Sequence, residues 1–189
     1  PVRSLTTNPP DWAAEAFGPA CRVHRWDAKP GGPVPAEGVN LHDPATRQAF
    51  LAYLAALARH LRERHGAALA AVQLETRLAV LPGEVDYSPP AKAHWRRWLA
   101  GRYGDVAAMN KRWGAEWASF EEVDIPPPRA EAPLPPSPGR ADAQALAEAV
   151  RWNDWIAWRK AWTAEYYRCQ ADVLRRELPG VPVQAYALR

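Results

Sequence analysis

Two groups of residues in this chain have the types and spacing to do chemistry. In the first, Gln73-Leu74-Glu75-Thr76-Arg77 closes a short apolar run and sets a carboxylate two residues before a guanidinium. On an extended segment that spacing puts Glu75 and Arg77 on one face. Glu75 could give or take a proton there; Arg77 could not, because its guanidinium stays protonated. An ion pair between the two is the competing reading, since structural ion pairs also produce buried carboxylates. In the second group, His24, Trp26 and Asp27 end a short run before a Gly- and Pro-rich stretch, and Glu84, Asp86 and Tyr87 lead into Ser88-Pro89. An indole face flanked by polar groups suits a sugar ring, which has apolar faces and polar edges. Ordinary loop packing is the alternative for Trp26. For Glu84, Asp86 and Tyr87 the alternative is a solvated loop leading to a helix cap.

These residues need elements to position them. Residues 2–6 read as a short strand that Asn8-Pro9-Pro10 stops, because consecutive prolines remove ladder donors. Residues 22–26 read as a second strand, and Pro30-Gly31-Gly32-Pro33 with Pro35 as an irregular loop. Asp43-Pro44 opens a helix over about 44–65: Asp accepts free N–H groups and Pro is pre-set for the first turn. Phe50, Leu51, Leu54, Leu57, Ala58 and Leu61 give it an apolar face, and Gly66 ends it. Residues 69–75 have the short, mostly apolar composition of a buried parallel strand.

Ser88-Pro89 starts the next helix, to about Arg102; Asp105 caps a short one that stops at Gly114; Ser119-Phe120-Glu121-Glu122 has capping-box spacing. Residues 126–138 hold seven prolines, which predicts an extended internal connection. A helical pattern over 141–178 follows, with a break expected near Asn153 and an end at Pro179-Gly180. Residues 181–187 read as a last strand, with Pro182 suited to its first position. Trp95, Trp98, Trp113 and Trp117 fall on or beside helices. Trp152, Trp155, Trp158 and Trp162 recur at helical spacing on one face, which predicts packing.

The totals exclude several classes. Lys and Arg number 24 against 21 Asp and Glu, a net charge of +3, without the clustered excess that nucleic-acid binding needs. Cys21 and Cys169 lack neighbours at ligand spacing, so no metal site and no cofactor are expected. No apolar run is long enough for a membrane span, and the cytoplasm is the expected setting. The chain begins with Pro1 and its single Met is Met109, as expected of a segment processed or cut from something longer. Alternating strands and helices argue for parallel strands with right-handed crossovers. The length of 189 residues falls short of the about 250 that a complete eight-stranded barrel usually needs. A barrel fragment or a small doubly wound domain fits.

The run Trp95-Arg96-Arg97-Trp98-Leu99, Arg102-Tyr103-Gly104-Asp105, Met109-Asn110-Lys111-Arg112-Trp113-Gly114 and Trp117-Ala118-Ser119-Phe120-Glu121-Glu122-Val123 before a proline cluster resembles the segment after the fourth strand of glycoside hydrolase family 42 β-galactosidases. Thr6-Thr7-Asn8-Pro9-Pro10-Asp11-Trp12 is similar to the family's "T-x-x-x-P-x-W" loop. Gln170–Arg175 and Val181-Pro182-Val183 are similar to its next helix and strand. The resemblance implies an α/β fold, a partial (β/α)8 TIM-type barrel with parallel strands and long helices, as a single domain over 1–189. It also implies a carbohydrate partner, with the remainder of the barrel or an oligomer partner beside this chain. In the family the fourth strand ends in "Q-(I/L)-(D/E)-N-E", where the last Glu is the general acid/base and the Asn contacts the sugar. Here Thr76 stands at the Asn position and Arg77 at the acid/base position. Retaining hydrolysis needs two carboxyl groups about 5–5.5 Å apart, and in this register the nucleophile falls beyond Arg189. Glu75 is left as a substitute acid, with Thr76, Arg77, His24, Trp26, Asp86 and Tyr87 as expected sugar contacts. Two readings follow: a hydrolase segment acting on β-linked sugars, and a non-catalytic binding or scaffold member of the same fold.

Overall fold

The computed structural model describes residues 18, 22–29, 31–74, 85–128 and 143–184. The expected strand at 2–6, the loop at 6–12, residues Cys21, Pro30, Glu75, Thr76, Arg77 and Glu84, most of the proline-rich connection and the end of the last strand lie outside them. The chain forms two compact units. The first takes its described residues from 18, 22, 37–79 and 161–184, the second from 23–36 and 80–160.

In the first unit, helix α1 spans Pro44–His65, and the Asp43 carboxylate accepts from the Thr46 N–H at 2.8 Å. Gly66 ends the helix by continuing into a single 3-10 turn, Gly66–Ala68. The side of α1 that is fully buried carries Thr46, Ala55 and Ala58. Phe50 and the leucines of the expected apolar face are half-buried around it. The expected strand at 69–75 contracts to β3, Val72–Gln73, which pairs in parallel with β4, Val183–Gln184. Val72 N–H donates to the Pro182 carbonyl at 2.9 Å and Leu74 N–H to that of Gln184 at 2.8 Å. Pro182 lends only a carbonyl to the ladder, so its missing N–H does no harm. Ala58, Leu74, Ala171, Leu174 and Leu178 form the core of this unit.

Strand β1 is Arg22–Asp27 and its sheet neighbour β2 is Gly32–Val39; residues 23–36 of this hairpin count with the second unit. The irregular loop expected at 30–35 is thus mostly strand. Gly31, at φ 68°, makes the left-handed turn. Pro33 and Pro35 share parity, so both missing N–H groups fall on one edge. Among the described residues β2 has a single neighbour, and such a strand can leave that edge unpaired. Helix α2 spans Pro89–Tyr103 with Ser88 as its N-cap. Helix α3 spans Val106–Trp113 with Asp105 as its N-cap and Gly114 in the left-handed region at φ 58°. Ser119 does not complete a capping box: its side chain makes no cap bond to the turn Phe120–Glu122. Instead Glu122 reaches back to the Ala118 N–H at 3.1 Å.

Helix α4, Ala143–Glu177, runs unbroken through Asn153. Asn is a weak helix former, but its immediate neighbours are anchored. Asp154 is held by three partners described below, and Trp155 and Trp158 are fully buried. Tertiary packing overrides the local preference. Residues up to Lys160 count with the second unit and those from Ala161 with the first. Trp95, Trp113, Trp155 and Trp158 are central to the second unit's core, with Trp95 stacked on Trp98 at 5.6 Å and tilted against Trp158 at 5.3 Å. Each such side chain contributes about 2–3 kcal/mol of apolar burial. That outweighs leaving the Trp95 and Trp155 indole N–H groups without a partner among the described residues.

Candidate functional site

Strand β1 and the lead-in to α2 build one site in the second unit. Alternation along β1 puts His24 and Trp26 on the same face. The His24 main chain is the attachment point: its N–H donates to Asp86 Oδ1 at 2.9 Å, and its carbonyl accepts from the Tyr87 N–H at 2.9 Å. The Trp26 and Tyr87 rings then meet at 5.5 Å between centroids, tilted by 58°. Of the residues singled out in the sequence, His24, Trp26, Asp86 and Tyr87 come together here. His24 and Trp26 lie within β1, whereas Asp86 and Tyr87 lie in the irregular segment that leads into α2.

Asp86 holds this junction. Besides the His24 N–H, its carboxylate accepts from the Ser88 N–H and the Ser88 hydroxyl, each at 2.9 Å. Ser88 Oγ in turn accepts from the Ala91 N–H at 3.4 Å, so one series of hydrogen bonds runs from β1 into the first turn of α2. Burial pushes the Asp86 carboxyl above its ordinary value, against the pull of its three donors and of the Arg25 charge. Tyr87 is 2% exposed and its hydroxyl donates to the Pro126 carbonyl at 3.1 Å. Burial raises its pKa against the opposing Arg159 charge, so it remains a phenol. Tyr87 is therefore a prop under Trp26, and half-buried Trp26 and His24 are the members that reach the surface. Such a site can bind through an indole and an imidazole. It does not assemble a proton-transfer pair among the described residues, since Asp86 is already engaged.

A second polar centre in this unit escaped the sequence. Asp154 is 1% exposed, yet its carboxylate bonds the Tyr103 hydroxyl, the Trp113 indole N–H at 2.8 Å and Arg102 Nε at 2.7 Å. Burial, then the hydrogen bond and charge of Asp154, raise the Tyr103 pKa. For Arg102, burial opposes the charge, but Asp154 outweighs it and the pKa rises. The one available signal was an acidic residue between Trp152 and Trp155 on an aromatic helix face. The partners, far away in sequence, carried none. His94 Nδ1 also accepts the Trp158 indole N–H, at 2.8 Å. No group of three His, Cys, Asp or Glu able to hold a metal occurs among the described residues. None of the described helices is long and apolar enough to cross a membrane.

Comparison with known proteins gives this geometry a context. The glycoside hydrolase family 42 model, described as beta-galactosidase, matches residues 2–188. A beta-galactosidase of Arthrobacter sp is 33% identical over 163 residues, which covers 79% of this chain and 21% of that protein. The crystal structure of the beta-galactosidase from the psychrophilic Marinomonas ef1 superposes with a TM-score of 0.69 at 19% identity, covering 96% of this chain and 26% of that one. The catalytic domain of a beta-amylase from Paenibacillus polymyxa gives 0.68 at 14% identity, over 93% and 44%. Likeness at these identities shows the fold: a mostly helical part of an α/β barrel. The chain spans about a fifth of the length of the Arthrobacter relative.

Proposed function

The chain belongs to glycoside hydrolase family 42, and from that premise we propose that it is the part of a β-galactosidase-like barrel that contacts the sugar of a β-galactoside. The meeting of Trp26 and His24 with Tyr87 across β1 carries this reading. Trp26 stacks on the apolar face of the sugar ring, and His24 hydrogen-bonds its hydroxyls. Tyr87 fixes the indole from behind, and Asp86 fixes the strand to the helix. In sequence, Thr76 and Arg77 stand at the positions where the family keeps its sugar-contacting Asn and its acid/base, with Glu75 before them. Arg77 cannot donate a proton at working pH, so this chain binds and does not itself protonate the leaving oxygen. The second reading, a segment acting in hydrolysis, assigns that proton to Glu75.

Calorimetric titration with lactose tests the binding. Trp26→Ala is expected to weaken it about tenfold, the loss of one stacking surface. Unchanged affinity in Trp26→Ala would remove the observation on which the reading rests. Hydrolysis of p-nitrophenyl β-D-galactoside separates the two readings. Turnover abolished by Glu75→Gln supports an acid at Glu75, and no turnover with lactose still bound supports the binding role.

A further inference from the structure

Away from the Trp26 site, the second unit carries a groove of about 700 Å³ between the residues that follow α3 and the first turns of α4. Its volume lies in the range of about 300–1,000 Å³ that small-molecule sites occupy. We propose that this groove is a second, non-catalytic binding site for a neutral polyhydroxylated ring, separate from the contact at Trp26.

The lining chemistry argues for that class of ligand. Half-buried Trp117 contributes indole surface, buried Trp113 backs the groove from the core, and Glu116, Gln144, Glu148 and Arg151 contribute acceptors and donors around it. A sugar hydroxyl donates and accepts together, and so uses carboxylate, amide and guanidinium in one place. An anion would meet Glu116 and Glu148, and a cation would meet Arg151. A purely apolar ligand would strip water from all of these without replacing its hydrogen bonds, a penalty of about 1–3 kcal/mol per group. A neutral polyol avoids each of these losses.

The walls are fixed before any ligand arrives. The Trp113 indole N–H is bound to Asp154 at 2.8 Å, and the Arg151 guanidinium lies over the Trp113 ring at 5.5 Å. Trp117 is clamped on both sides of its main chain by one side chain: Asn110 Nδ2 donates to the Trp117 carbonyl at 2.8 Å and Asn110 Oδ1 accepts the Trp117 N–H at 3.1 Å. Gly114 keeps the floor low. An added Cβ there would lie 3.4 Å from Ala147 Cβ, at a φ that side chains rarely adopt. Pre-set walls spare the ligand the cost of ordering them. The Asn110 clamp also gives a role to part of the Asn110–Trp117 motif that the Trp26 site leaves unused.

The test is saturation-transfer NMR on the 189-residue chain with β-1,4-galactobiose as the probe, titrated for affinity. The variants are Trp117→Ala, Gln144→Trp and Trp26→Ala. Gln144 is exposed, so Gln144→Trp fills the groove without disturbing the core. Near-ultraviolet circular dichroism reports whether each variant stays folded. The expected result is binding in the wild type, about tenfold weaker in Trp117→Ala, blocked in Gln144→Trp, and still present in Trp26→Ala. Absence of any signal at about 10 mM probe, where even millimolar sites register, would overturn the proposal. So would binding that survives Gln144→Trp undiminished. Loss confined to Trp26→Ala would place the sugar at the other site alone, leaving the Trp26 reading intact and this one refuted.

Discussion

Asp86 provides a quantitative test of how the Trp26 site is held. Replacing it by Ala removes the acceptor from two main-chain N–H groups, those of His24 and Ser88, and from the Ser88 hydroxyl. The hydroxyl can turn elsewhere; the two N–H groups cannot. An orphaned buried donor costs about 1–3 kcal/mol, so Asp86→Ala should lose about 3 kcal/mol. For a chain of this size that is a fall of about 6–12 °C in Tm. Asp86→Asn is the informative partner. Its carbonyl keeps both N–H groups and its amide donates to Ser88 Oγ, so the geometry survives while the buried charge is gone. Because burial raises the folded-state pKa above the ordinary 3.8, protonation favours the folded form. That contribution is full below pH 3.8 and lost as pH rises through the raised value. At neutral pH the ionised group is therefore a burden that Asn lifts. Asp86→Asn should match or exceed the wild type at pH 7, and the acid-side loss of stability with rising pH should flatten. Thermal unfolding between pH 3 and 7 measures both. An Ala variant within about 0.5 kcal/mol of the wild type, or an Asn variant as damaged as Ala, refutes this account of the clasp.

Other perturbations have equally definite outcomes. Tyr103→Phe leaves Asp154 with Trp113 and Arg102 and should cost about 1–2 kcal/mol, while Asp154→Ala strands several partners at once and should cost about 3–5 kcal/mol in denaturant titration. His94→Ala removes the acceptor of the Trp158 indole N–H and should cost about 1–3 kcal/mol; His94→Gln, which can restore an acceptor, should recover part of it. Gly114→Ala forces a side chain into the left-handed region and should lose about 1 kcal/mol, read from the urea midpoint at constant slope.

What the sequence revealed divides along the distance between interacting residues. Asp43-Pro44, Ser88-Pro89, Asp105 and Gly114 act on atoms within one turn of themselves, and each marks its helix boundary correctly. Asn153 and the prolines of β2 misled for the opposite reason. The helix persists through Asn153 because Asp154 and the tryptophans beside it bind residues of α2 and α3. Pro33 and Pro35 are tolerated because their strand has one neighbour among the described residues, a fact of sheet layout that no local window contains. The site shows the same split. His24, Trp26, Asp86 and Tyr87 are recognisable by type, but only the main-chain link between His24 and the residues at 86 and 87 makes them one place. The Asp86 carboxylate joins strand to helix through its bond to the distant His24 N–H.

The parallel pairing of β3 with β4 has a consequence for synthesis. Val72 and Val183 sit opposite one another, yet almost the whole of the second unit is translated between them. A growing chain leaves the ribosome at about 5–20 residues per second, so β3 waits several seconds for its partner with an open edge and an apolar Leu74 beside it. During that interval residues 85–128 and the first half of α4 can collapse around Trp95, using contacts already in hand. Vectorial synthesis thus favours completing the inserted unit first and zipping the parallel pair last. The nascent first unit, halted midway, is the stage at which a chaperone would have something to hold.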